Sequence, residues 1–321
     1  MRDVLEKRFG LKSRRMTLEA IGRDYKITRE RVRQIEAEAL KQVGKEDNIS
    51  EFNPLFRAIE EHVRSHGEVM AEPHLLTTLV GARNHNHVLM LLGVGRLFHK
   101  FPESDSLHCR WAISKDAAEK AEQVLNRTVA HLEEAGRPVS KDVLVTILGR
   151  FAKDTLGTEP QRHVLDSFLA SSKLIRANPF EEHGLVSWPT ISPRGVKDKA
   201  YVVLEKAGKP MHFTEVAQAI NRTGWSKRKA HPQTVHNELI KDSRFVLVGR
   251  GLYALGDWGY EPGVVRDVIT SILQGSSGPL SKDEIIRLVS EKRFVKAPTI
   301  LLNLQNRSLF RRTEEGKYTL V

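Results

Sequence analysis

The sequence has almost no cysteine: one residue, Cys109, in 321. An intrachain disulfide framework is therefore excluded, which fits a reducing compartment. No stretch of about 18 apolar residues occurs, so no membrane-spanning helix is expected. The first ten residues, MRDVLEKRFG, are charged and lack an apolar core, so they do not read as a secretory leader. A cytoplasmic protein without membrane contact is the expectation.

Catalytic signatures are missing as well. There is no Walker loop, no G-x-G-x-x-G after a strand and no G-x-S-x-G elbow. Cys109 has no evident activating neighbour. Around His99, His108 and Cys109 no paired ligand spacing supports zinc. Asn84-His85-Asn86-His87 contains the letters H-N-H, but it precedes the apolar run Val88 to Leu92 and reads as the start of a helix. The expectation is a protein that is not an enzyme, with no cofactor and no metal.

What is present is positive charge. The formal net charge is +11 and the pI about 9.7. That balance favours a polyanionic partner, nucleic acid above all, provided the excess sits on a plausible reading element. Hydrophobic content of 40% and charged content of 28% are ordinary for a globular chain. The length suggests two or three domains.

The N-terminal segment, 1–46, reads as a helix-turn-helix. Val4, Leu5 and Phe9 share one helix face, and Gly10 is placed to stop that helix. After the basic loop Lys12-Ser-Arg14-Arg15, Thr17 suits the N-cap of a short helix carrying Leu18 and Ile21. A tight turn from Arg23 to Ile27 leads to Thr28, a second N-cap. The next helix runs from about Arg29 to Val43, with Val32, Ile35 and Ala39 at apolar spacing. Gly44 to Ser50 reads as a linker.

Opposite that apolar stripe, Arg29 with Arg33 and Glu30 with Gln34 stand four residues apart and form a polar ladder. Arginine matches guanine, glutamate accepts from cytosine, and glutamine pairs with adenine. The first two turns of a recognition helix are where bases are touched. Arg31, Lys12, Arg14 and Arg15 suit phosphates. Residues 1–46 hold 13 Lys and Arg against 8 Asp and Glu, so the excess charge coincides with this element. A solvated amphipathic helix of alternating charge has the same composition, and both readings stand on composition alone.

The rest of the chain repeats one layout: a long helix, a Gly or Pro loop, two further helices, then a basic hairpin ending in an aromatic. Gly208-Lys-Pro210 and Gly278-Pro-Leu280 open the clearest pair, which close at Phe245–Leu255 and Phe310–Leu320. Three helices plus a two-stranded hairpin describe a winged helix. Four are expected in tandem, at 53–113, 117–189, 197–258 and 263–321, with boundaries at Pro189–Gly195 and Gly259–Gly263. The fold class expected is mainly α: a helix-turn-helix followed by tandem winged-helix domains.

The string RDVLEKRFGL…TLEAIGRDYKITRERVRQIEAEAL closely resembles region four of the bacterial housekeeping sigma factors, over about 45 residues. The resemblance implies recognition of a −35 promoter element in double-stranded DNA and contact with the β flap of the RNA polymerase core. It implies that Arg29, Glu30, Arg31, Arg33 and Gln34 hold base- and phosphate-contacting positions, beside the caps Thr17 and Thr28. Three departures stand out. Lys26 replaces the glycine usual in the turn. Met1 falls inside the family's first helix, which suggests a truncated or unusual start. Nothing resembles region two, so a complete sigma factor is not expected.

Residues 197–258 resemble the HARE-type helix-turn-helix through Ala200-Tyr-Val-Val-Leu, Gly208-Lys-Pro-Met-His-Phe, His231-Pro-Gln-Thr-Val and Gly251-Leu-Tyr-Ala-Leu. That family includes the polymerase delta subunit and chromatin and restriction proteins, which implies DNA or transcription-complex binding. Lys227, Arg228 and Lys229 before the third helix, and Arg250 on the wing, then suit phosphates; a protein-docking wing with exposed basic residues is the equal alternative. Trp225, Tyr253 and Trp258 read as packing residues. The leading expectation is a sigma-related transcription factor. The alternatives are a delta-like polymerase subunit without sequence-specific DNA binding and a DNA-recognition subunit of a defence or modification system.

Overall fold

A computed structural model describes residues 1–45, 49–260, 263–293 and 295–321. The end of the first expected segment at residue 46, part of the linker at 44–50 and part of the boundary at 259–263 lie outside the described residues. The chain is mainly α and divides into two compact units. One is Met1–Ala177 with Glu181–Ser187, the other Asn178–Phe180 with Trp188–Val321.

The first unit opens with three helices, α1 (Arg2–Phe9), α2 (Leu18–Tyr25) and α3 (Arg29–Val43). Gly10 ends α1 in the left-handed conformation, φ 69°. Thr17 and Thr28 cap α2 and α3: each side-chain oxygen accepts from the backbone N–H three residues on, at 3.1 Å. Val4, Ile21 and Val32 form a small core between the three helices. Ile21 and Val32 are fully buried, each stabilising the head by about 1.5–3 kcal/mol.

Four segments follow with one layout. The first contains α4 (Asn53–Ser65), β1 (Val69–Ala71), α5 (Glu72–Leu79), α6 (His85–Val94), β2 (His99–Phe101) and β3 (Arg110–Ala112). The second contains α7 (Lys115–Ala135), β4 (Val139–Ser140), α8 (Lys141–Leu156), α9 (Arg162–Ser171), β5 (Ile175–Ala177) and β6 (Glu182–Leu185). In the second unit, the third segment contains α10 (Val196–Ala207), β7 (Met211–His212), α11 (Phe213–Thr223), α12 (Pro232–Lys241), β8 (Phe245–Gly249) and β9 (Leu252–Leu255). The fourth contains α13 (Val265–Gly275), α14 (Lys282–Lys292), α15 (Ala297–Leu304), β10 (Phe310–Arg312) and β11 (Tyr318–Leu320). Side-chain caps start many of these helices: Ser114, Ser140, and the capping boxes His212 with Glu215 and Ser281 with Glu284.

The expected two-stranded hairpins are larger than the sequence pattern suggested. In three segments the short stretch leading into the second helix joins the sheet, giving the orders β1-β3-β2, β4-β6-β5 and β7-β9-β8. The register is antiparallel, with Val69 opposite Ala112, Val139 opposite His183 and Met211 opposite Tyr253. The fourth segment keeps only a single bridge at that place, Leu280 to Tyr318. Two or three extended residues pair their backbone groups this way, too few to show a period-2 pattern.

Within the first unit the cores run across the segments. Leu5, Phe9 and Ala39 share one apolar cluster with Phe56, Leu92, Phe98 and Trp111. Val69, Leu107 and Ala112 join another with Leu125, Leu148 and Phe168. Gly67, at φ 88°, makes room for this: a Cβ there would meet Val164 Cγ1 at 2.6 Å and Phe168 Cε1 at 2.8 Å. Among the described residues no helix is long and apolar enough to cross a membrane.

Candidate nucleic-acid interface

The N-terminal head presents α3 by burying its other side. Gly22 lets α2 and the following turn close up: a Cβ there would lie 2.7 Å from the Ile27 carbonyl oxygen. Lys26 turns the chain with left-handed geometry, φ 54° and ψ 40°, a conformation that costs a residue with a Cβ about 1–2 kcal/mol. Arg8 braces the pair from behind through a partly buried salt bridge to Glu36, 3.2 Å long. Val32 and Ala39 are buried, whereas Ile35 is only half-buried.

All of the expected reading residues, Thr28, Arg29, Glu30, Arg31, Arg33 and Gln34, are exposed or half-exposed on the first turns of α3. Their pairing differs from the four-residue ladder. Arg33 donates to both Glu30 oxygens, Nη2 at 2.6 Å and Nε at 2.9 Å. Arg31 Nη1 donates to Gln34 Oε1 at 3.2 Å. Both pairs are three residues apart and join a guanidinium to an acceptor, which two arginines such as Arg29 and Arg33 could not supply to each other. The hydrogen bond from Arg33 holds the Glu30 carboxyl below its ordinary range. Thr17 is exposed at the start of α2, where its oxygen is occupied by Ala20 N–H. Arg14 and Arg15 are exposed, but Lys12 is tied to Glu6 at 2.8 Å.

In the third segment the basic loop is held in shape. Asn221 clamps it, donating to the Ala230 carbonyl at 3.1 Å and accepting from Ala230 N–H at 2.7 Å. Ser226 Oγ donates to the Arg228 carbonyl at 2.7 Å. Lys227, Arg228 and Lys229 are exposed on it. A cavity of about 300 Å³ opens there, lined by Lys199, Arg228, Lys229, His231 and Thr234 among others, at the N-terminus of α12. Lys199 comes from α10, some 30 residues earlier, and no local motif announces it. Arg250 is exposed at the wing tip between β8 and β9. On α12, Gln233 and Asn237 are hydrogen-bonded to each other at 3.3 Å on the solvent side. Tyr253 is buried and bonded to His236, and Trp225 packs against Phe180, so these aromatics serve the core.

The other candidates resolve differently. Asn84 is the N-cap of α6 and His85 to His87 form its first turn; Asn86 Nδ2 donates to the Gly10 carbonyl at 3.0 Å, joining α6 to the head. Burial, with Glu72 beside it, pushes the Cys109 thiol up to about 11, the opposite of nucleophile activation. Sequence reasoning passed over His62 and His66, spaced i, i+4 at the end of α4. Their rings are 4.4 Å apart, and His66 lies 6.1 Å from His74 and 5.2 Å from His163. Burial and the neighbouring imidazoles lower the pKa of His62; burial and His66 lower that of His74. Among the described residues no group of three or more His, Cys, Asp or Glu is arranged to hold a metal ion.

Comparison with known proteins matches these two surfaces to two families. Residues 1–45 match the family described as Sigma-70, region 4. Residues 194–258 match the HARE-HTH family, a helix-turn-helix domain whose description names ASXL and restriction endonucleases. Over 42 residues the chain is 57% identical to the RNA polymerase sigma factor SigA of Lactococcus lactis subsp. cremoris, covering 13% of this chain and 12% of that protein. The SigA of Lactococcus lactis subsp. lactis (strain IL1403) is likewise 57% identical over 42 residues, covering 11% of its length. The chain thus spans only about a tenth of these curated relatives. One mainly α chain thus carries an N-terminal segment similar to sigma-70 region 4 and, at residues 194–258, a segment similar to the HARE-type helix-turn-helix.

Proposed function

We propose that this protein is a DNA-binding transcription factor related to bacterial sigma factors. In this reading α3 lies in the major groove of a −35-like element, with Arg29, Arg33 and Gln34 at base edges and Arg31 on phosphate. The N-terminus of α2, at Thr17, approaches the neighbouring backbone. Lys227, Arg228, Lys229 and Arg250 add contacts to DNA or to the RNA polymerase core, whose β flap the head would also touch. The protein acts in the cytoplasm and carries no catalytic chemistry. The observation that carries the reading is the exposed polar set on the first two turns of a helix whose opposite face is buried, within a segment matching sigma region 4. Selection of bound sequences from a random duplex pool, with and without core polymerase, tests it. A −35-like consensus that changes in Arg29→Ala or Gln34→Ala supports it, and an unselected pool refutes it.

A second reading is a polymerase-associated, delta-like regulator whose wings dock on protein. It is favoured by apolar residues where a DNA-facing surface would be polar: Ile240 on α12 is 62% exposed and Leu247 on β8 44%. Tight binding to core polymerase without sequence-selective DNA binding would decide for it.

A further inference from the structure

We propose that the fourth segment carries a separate nucleic-acid site, a cleft that grips the phosphate backbone through Arg307, Arg311 and Arg312 without reading bases. The cleft has a volume of about 870 Å³ and lies between the end of α15 and the final hairpin. Leu304 and Phe310, both buried, fix its two walls. The three arginines lining it are exposed. Among the described residues none of them has a carboxylate within ion-pair distance; Arg312 Nε donates only to the Gly316 carbonyl, at 3.4 Å. Cationic residues lining one cleft without carboxylate partners favour the entry of an anion. Their forked N–H groups match two phosphate oxygens at once.

The neighbouring elements select backbone over bases. Helix α15, in the position of a reading helix, has the sequence APTILLNL and carries no charge. Leu302 is 67% exposed on it, and the Asn303 amide donates back to the Thr299 carbonyl at 2.8 Å. The hairpin tip is acidic, with Glu314 and Glu315, and Glu315 pairs with Lys317 at 3.3 Å. The third segment has Arg250 at the equivalent place. A phosphate would therefore be repelled from the tip of this wing and held at its base. This site is additional to those of the proposed function and does not depend on base reading by α3.

The test uses the full chain and a fluorescent duplex of arbitrary sequence, titrated at several salt concentrations. Replacing the three arginines together by alanine should lower affinity roughly tenfold or more at low salt and flatten the slope of log K against log salt by about 2–3, near 0.9 per lost phosphate contact. The corresponding triple lysine variant should keep most of the slope. Sequence preference at the head should not change in either. Gln34→Ala should do the reverse, altering preference and leaving the slope. An alanine variant with unchanged affinity and slope would overturn the proposal and leave the cleft to an acidic protein partner. So would a lysine variant whose salt slope is as flat as the alanine variant's, since charge alone should preserve that slope.

Discussion

Arg33 grips Glu30 across one turn of α3, with Nη2 2.6 Å from one carboxylate oxygen and Nε 2.9 Å from the other. Two side chains that suit guanine and cytosine thus face each other first. The carboxylate engages one edge of the guanidinium, and in the proposed reading the remaining N–H groups would meet a base. DNA would meet a pre-oriented pair, not two free side chains.

Glu30→Ala should accordingly bind unrelated duplexes more tightly, because a repelling charge is gone, and lose discrimination at one base pair by roughly tenfold. Arg33→Ala should lose affinity on the preferred site much more than on unrelated DNA. Electrophoretic or anisotropy titrations on matched and mutated sites measure both. A Glu30→Ala variant with unaltered preference would show that the pair plays no part in reading.

Thr28→Ala removes the acceptor for Arg31 N–H and should destabilise the head by about 1 kcal/mol. Thr28→Ser keeps the oxygen and should stay near the parent. Chemical denaturation compares them, and equal loss in the two variants would mean that the methyl group, not the cap, matters.

Lys26→Gly should stabilise the protein by up to about 1–2 kcal/mol, since glycine takes φ 54° without a Cβ penalty. Part of that gain is offset by the freer unfolded chain. A destabilised variant would indicate that the Lys26 side chain makes an essential contact.

The caps Thr17 and Thr28, the helix stop at Gly10 and the tight turn through Lys26 were legible because each is a local property of a few residues. The tandem winged layout was legible from repetition. The shared core of the head and the next segment was not, because Phe9 and Ala39 meet Phe98 and Trp111 only through folding. The tie between Lys12 and Glu6 hides for a similar reason: composition counts a cation but not its partner. Lys199 beside Arg228 and the imidazoles of His62, His74 and His163 come together from distant elements, so no window along the chain contains them.

That imidazole cluster makes stability depend on pH. His62 and His74 titrate below the ordinary histidine value, so the folded state favours their neutral forms. The stability they contribute is present above about pH 6.5 and is lost as pH falls through the lowered values. His66 and His163 face them; Asp166, paired with Lys141 at 3.3 Å, acts on His74 in the opposite direction. The melting temperature should therefore drop between about pH 7.5 and 5, and drop less in His62→Asn or His74→Gln. Equal drops in parent and variants would place the acid sensitivity elsewhere.

Base reading by α3 is what sets the proposed function apart from a docking role. Its most direct measurement is the affinity of the full chain for a −35-like duplex and for its scrambled counterpart, in the parent and in Arg29→Ala and Gln34→Ala. Each substitution should cost roughly 1–3 kcal/mol on the preferred duplex and little on the scrambled one. Equal losses on both duplexes, or no difference between them in the parent, would contradict it.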